Sequence, residues 1–259
     1  MIFLLSPAKS LDYETPVSPE LTAHKPLFVA SSVQLIDVLK TKTPAQIATL
    51  MDLSDKLAAL NLARYQAWKP TATAKNSKQA ILAFDGDVYD GLNAKSLSAE
   101  QLVWADGAIC ILSGLYGALR PLDALQPYRL EMGTKLSNAN GKNLYEFWGD
   151  TVSNHLNNLL KTEKNPVVVN LASQEYFKVV NRKTLKARVI ECVFEEYKNG
   201  AYKVISFAAK RARGMMARFA IEQKITEPEK LKLFKSDGYA FAKAISTDER
   251  WLFRRKLSV

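Results

Sequence analysis

Three short segments combine groups that exchange protons with groups that hold anions. Tyr116 lies in Ser113-Gly114-Leu115-Tyr116-Gly117, and Arg129 and Glu131 lie in Pro127-Tyr128-Arg129-Leu130-Glu131. Asn170, Ser173, Glu175 and Tyr176 share the seven residues from Asn170 to Tyr176. A fourth segment, Ser6-Pro7-Ala8-Lys9, adds a lysine just after an apolar run. Were the four to meet, they would supply two carboxylates for general acid–base work and two cations for a phosphate. Taken singly, each is better read as a structural turn. The lysine segment lacks the glycines and spacing of a P-loop.

Metal and nucleophile chemistry find less support. There are only two histidines: His24 lies in a polar loop and His155 on the apolar stripe of a helix, where a core role is expected. Cys110 and Cys192 sit in apolar stretches with no pairing pattern. Asp85, Asp87 and Asp90 resemble the start of a calcium loop, but Tyr89 and Ser96 occupy positions that need ligands. No metal and no cofactor is expected.

The elements that must position these residues follow from apolar periodicity. Strands are expected at residues 2–5, 80–84, 109–112 and 167–171, so the polar segments follow strand ends, where α/β proteins place ligands. Helices are expected at 33–40, 44–51, 55–68 and 144–160, after a Pro-, Ser- and Thr-rich loop that runs to about residue 30. Asn199-Gly200 between alternating runs at 188–197 and 201–207 predicts a hairpin. Strands at 239–245 and 251–256 close the chain. The result is a mixed α/β (α+β) fold in one domain, residues 1–259, with a helical insertion at about 31–79.

With 259 residues, 47% of them hydrophobic and 24% charged, the chain can bury a sizeable core and is not compositionally disordered. No apolar run approaches the roughly 20 residues of a membrane helix. Met1 to Leu5 lacks a basic lead and a cleavage site, so it reads as a strand, and a cytoplasmic location is expected. The charge is divided unevenly. Residues 1–177 carry 16 Lys and Arg against 17 Asp and Glu, whereas residues 178–259 carry 20 against 9. A polyanionic partner, mostly sequence-independent DNA, would use such an excess.

The basic helix expected at 208–224 gives that excess a face. Lys210, Arg211, Arg213, Arg218 and Lys224 fall within roughly 160° of arc, opposite Ala212, Met215, Met216, Phe219 and Ala220. Gly214 lies near the middle of the basic arc. It costs helix stability of about 1 kcal/mol relative to alanine but admits another backbone, which a phosphate chain would exploit. Gly214→Ala is therefore expected to stabilise the helix.

Longer blocks of residues resemble a known family. They include Ser6-Pro7-Ala8-Lys9-Ser10-Leu11-Asp12-Tyr13, Gly86-Asp87-Val88-Tyr89-Asp90-Gly91-Leu92, Gln126-Pro127-Tyr128-Arg129-Leu130-Glu131-Met132-Gly133, Phe147-Trp148-Gly149 and Ala212-Arg213-Gly214. In order and with little gap, from residue 2 to about 239, they resemble the YaaA family of peroxide-stress proteins. The resemblance implies a mixed sheet wrapped by helices, a basic cleft and a helix-hairpin-helix. It also implies DNA binding, including distorted duplexes, and protection from hydrogen peroxide by limiting unincorporated intracellular iron. Residues 43–68, with Lys56 and Arg64, then become a DNA contact, although the hairpin glycines of that motif are absent. The alternative is an enzyme acting on a nucleotide, a nucleic-acid base or another phosphate-bearing substrate in the same cleft.

Overall fold

Short apolar runs make the centre of the molecule, and the polar segments hang from their ends. The computed structural model describes residues 1–17 and 20–256; Ser18 and Pro19 of the expected loop and the last three residues lie outside the described residues. The N-terminal half contains β1 (Ile2–Leu5), β2 (Ser10–Leu11), α1 (Val29–Lys40), α2 (Pro44–Met51), α3 (Asp55–Ala67), β3 (Lys78–Gln79), α4 (Ala80–Ala83), β4 (Phe84–Asp85), α5 (Asp87–Leu92), α6 (Ala99–Ala108), β5 (Ile109–Ser113), β6 (Gly117–Leu119) and β7 (Ala124–Leu125). Then come α7 (Leu144–Trp148), α8 (Thr151–Leu159), β8 (Val167–Asn170), α9 (Gln174–Phe177), β9 (Arg188–Lys198), β10 (Ala201–Lys203), α10 (Ser206–Glu222), β11 (Ala240–Phe241) and β12 (Arg250–Arg255).

The main sheet has the order β11-β12-β9-β8-β1-β5-β6, with β10 added beside β9. The run β12-β9-β8-β1-β5 is parallel throughout, and β6, β10 and β11 are antiparallel additions. Every residue of β1, β5 and β8 is buried, as expected of strands covered on both faces. Numbered along the chain, the parallel strands run 2-1-3-4-5. The chain leaves β1 in one direction and β8 in the other, so their C-terminal ends flank a topological switch point. Such a crevice is where open α/β sheets take ligands.

The structure departs from the sequence reading in several places, each for a local reason. Residues 80–84 are not a strand: α4 fills them with one buried turn before the two-residue β4. The helix expected at 144–160 is two helices, because Gly149 adopts φ 44°, ψ −119° and ends α7. The Asn199-Gly200 turn forms with φ of 53° and 82°, but β10 is short and α10 starts at Ser206. Helices α5 and α6 were not expected.

The insertion forms a helical hairpin. Thr43 and Gln46 build a capping box on α2, Asp52 closes it in the left-handed region, and Ser54 caps α3. Its turn, Asp52-Leu53-Ser54, contains no glycine.

Candidate functional site

The loops after β1 and β8 are joined at the switch point. Asn170 turns the chain by accepting the Ala172 N–H on its side-chain oxygen at 2.9 Å. Ser173 then donates its N–H to the Ser6 hydroxyl at 2.8 Å and caps α9. Tyr89 of α5 donates to the Ser6 carbonyl at 3.2 Å. Above this junction lies a cleft of about 400 Å³ whose wall includes Lys9, Arg129, Glu131, Ser173, Glu175, Tyr176, Lys210 and Arg213.

Six of the eight residues singled out for chemistry thus meet in one place. Lys9 reaches Glu131 at 3.1 Å, and Arg129 reaches the other oxygen of Glu131 at 3.0 Å. Glu175 accepts the Gly133 N–H at 2.9 Å with one oxygen. Burial, with Tyr128 and the two glutamates nearby, pushes the Tyr176 phenol well above its ordinary range. The segment carrying Arg129 is pinned from both sides, by Tyr65 of α3 donating to the Arg129 carbonyl and by the Tyr128 hydroxyl 2.7 Å from Ser113. Tyr116 and Asn170 are corrections. Tyr116 is 1% exposed and its hydroxyl accepts from Trp68 at 2.9 Å, so it is a pillar of the core. Asn170 uses its side-chain oxygen on its own turn and lies outside the cleft wall.

The cleft is not basic. Four cations, Lys9, Arg129, Lys210 and Arg213, face four carboxylates, Asp85, Asp87, Glu131 and Glu175. The sequence reading missed Ser6, Asp85, Gly86 and Tyr128 as wall residues, and it set Asp85 and Asp87 aside with the failed calcium pattern. A Gly-Asp pair opening a helix was the available signal.

Nor is the basic arc of α10 a bare surface. Lys210 pairs with Asp87 at 3.6 Å, Arg211 with Asp237 at 3.4 Å and Arg218 with Glu222 at 2.8 Å, while Lys224 pairs with Glu100. Arg218 also donates to the carbonyls of Leu92 and Asn93 at 3.1 and 3.0 Å, satisfying the open end of α5. Gly214 is buried, and a Cβ there would stand 1.8 Å from the Val88 carbonyl oxygen. Gly91 meets α10 in the same way, 2.0 Å from the Arg211 carbonyl oxygen. The backbone admitted at Gly214 is therefore that of α5, which leaves no room for a phosphate chain. On the hairpin, Lys56 is exposed and Arg64 is half-buried, donating to Asn61 at 3.3 Å.

Arg213 differs from its neighbours. It is largely inside, where burial holds its guanidinium below the ordinary arginine range, and its Nε has no hydrogen-bond partner. A buried donor on a charged group is costly to leave without a partner, so such donors normally find an acceptor.

Other expectations concern residues away from the cleft. His155 packs edge-on against Phe28 with its ring centroid 5.6 Å away. Cys110 and Cys192 are free and buried, and burial pushes both thiols up to about 12. Among the described residues no group of three His, Cys, Asp or Glu side chains is placed to hold a metal. No helix among them is long and apolar enough to cross a membrane.

A family model described as peroxide stress protein YaaA matches residues 1–245. A UPF0246 protein of Ralstonia pickettii is 63% identical over 259 residues, the full length of both chains. One from Polaromonas sp. is 62% identical over 257 residues, 99% of each chain, and one from Albidiferax ferrireducens is 61% identical over 256 residues, 99% of this chain and 98% of that one. With its full-length relatives and a family model that covers all but the final strand region, the chain belongs to the peroxide stress protein YaaA family.

Proposed function

We propose that this peroxide-stress protein works in the cytoplasm through the switch-point cleft, as an enzyme on a nucleotide, a nucleic-acid base or another phosphate-bearing substrate. The observation that carries this reading is the make-up of the wall, where equal numbers of cations and carboxylates converge from four separate segments and α10. A surface built only to hold a nucleic-acid backbone gains nothing from carboxylates, which repel phosphates. A substrate with an anionic end and a proton-bearing end uses both. Glu131, bracketed by Lys9 and Arg129, and Glu175, with one oxygen not committed to Gly133, are the groups for proton transfer. Any limitation of intracellular iron would then follow from the reaction and not from storage in this chain.

DNA binding is the second reading. It is favoured by the excess of 20 cations over 9 acids after residue 177 and by the exposed Lys56 in the first turn of α3. The two readings separate in one experiment. Glu131→Gln and Glu175→Gln are introduced into the chain in a strain lacking it, and peroxide survival is scored beside the DNA affinity of the purified variants. The enzyme reading expects survival to fall while DNA affinity holds or rises. Variants that protect as well as the wild type would refute it.

A further inference from the structure

One cation of the cleft wall makes no ion pair, whereas Lys9, Arg129 and Lys210 each have one. Among the described residues, Arg213 Nε is the sole buried side-chain nitrogen or oxygen without a hydrogen-bond partner. Arg213 makes no ion pair there, whereas Lys210, Arg211, Arg218 and Lys224 of the same region each have one. Glu191 is the nearest carboxylate in effect, but it is turned to Arg250 at 3.7 Å. Next to Arg213 in sequence is Gly214, which locks α10 onto the Val88 carbonyl, so the helix cannot carry the guanidinium toward another partner.

We propose that Arg213 is the anchor for the phosphate group of a small ligand in this cleft, with Lys9 and Lys210 at the mouth completing the charge. The inference rests on the cleft being the working site and specifies what is bound there. A guanidinium offers planar paired donors that match two phosphate oxygens, and one already held in place loses little freedom on binding. The lysine side chains, 64% and 52% exposed, can fold inward over the ligand. A volume of about 400 Å³ is that of a small-molecule site. The ligand is a mononucleotide-sized phosphate ester and not a duplex, because a continuing phosphate chain would run past Asp85, Asp87 and Glu175.

Binding of inorganic phosphate, pyrophosphate and adenosine monophosphate to the full chain, followed by phosphorus NMR and calorimetry, tests this. Arg213→Gln should weaken the best of the three by about 10- to 100-fold, the scale of a charged hydrogen bond. Arg213→Lys should recover part of the loss, and Arg211→Gln, outside the cleft, should stay within about twofold of the wild type. Thermal melting without ligand guards against misfolding: Arg213→Gln should melt close to the wild-type temperature, since the side chain it replaces makes no ion pair and leaves its buried Nε unpaired. No saturable binding of any probe, equal binding by Arg213→Gln, or a melting point well below that of the wild type would overturn the proposal. So would a loss confined to a DNA duplex. Should Arg213-dependent binding hold while Glu131→Gln and Glu175→Gln protect fully, the anchor stands and the enzyme reading falls.

Discussion

Replacing Gly214 by alanine tests the packing that holds the cleft wall. The added Cβ would lie 1.8 Å from the Val88 carbonyl oxygen and 2.7 Å from the Leu92 nitrogen. Carbon and carbonyl oxygen settle no closer than about 3.3 Å, so α5 and α10 must part by more than about 1 Å. Both obstacles are backbone, and the reciprocal contact at Gly91 leaves α5 nowhere to slide. Overpacking of this kind costs about 1–3 kcal/mol and occasionally more, and rigid obstacles place it at the upper end. The helix gains about 1 kcal/mol from losing a glycine, leaving a net loss of about 2 kcal/mol. At about 2–4 °C per kcal/mol for chains of this size, melting should fall by roughly 4–8 °C. Gly107→Ala is the matched control. Gly107 lies in α6 with nothing within 4 Å of its would-be Cβ, so the same substitution should add about 0.4–1 kcal/mol. Urea melts of both variants, compared at equal slope, would decide. If Gly214→Ala were as stable as the wild type, or if the two changes moved stability in the same direction, the close approach of α5 and α10 would be wrong.

Three other substitutions probe the packing and titration of the scaffold. Arg218→Ala should cost about 1–3 kcal/mol, because it strips the donors from the Leu92 and Asn93 carbonyls, whereas Lys224→Ala, losing an exposed pair with Glu100, should stay within about 0.5 kcal/mol; equal costs in denaturant titrations would contradict this. Asp123 is buried, and burial pushes its carboxyl up to about 6 although Arg120 bonds it. The folded chain then binds that proton more tightly than the unfolded one, so this residue's contribution to stability should fall as pH rises from about 4 to about 6 and level off above. The stability difference between wild type and Asp123→Asn should trace that slope, and a flat difference would show that the residue does not titrate there.

Much of the scaffold was legible because local chemistry decides it. The Asn199-Gly200 turn, the buried strands β1, β5 and β8, and the caps at Thr43 and Ser54 are each fixed by a few adjacent residues. Residues 80–84 failed because a short apolar run fits a buried strand and a buried helical turn equally well. In the stretch from Leu144 to Leu159 the apolar spacing continues across the break, and the signal was Gly149 itself. At the site, residue type and placement after strands found Lys9, Arg129, Glu131, Ser173, Glu175 and Tyr176. The same criteria found Tyr116 and Asn170, since nothing local says which polar side chain turns inward. The basic arc of α10 was a matter of spacing alone: Gly214 in its middle is buried against α5, and Asp87, Glu100 and Asp237, which pair with Lys210, Lys224 and Arg211, are remote in sequence. Gly214 was rightly read as a point of close approach. Only the fold could name α5 as what approaches.

The burial of Cys110 and Cys192 bears on how this chain meets an oxidant. Peroxide attacks the thiolate, and a thiol raised to about 12 is ionised in only about one molecule in 100,000 at neutral pH. Neither sulfur is reachable from solvent in the folded chain, and the fully enclosed Met132 and Met216 are shielded as well. These four sulfurs are therefore poor detectors of peroxide. An oxidant would reach them only when the chain opens, so the core that carries the cleft resists this damage for as long as it stays folded.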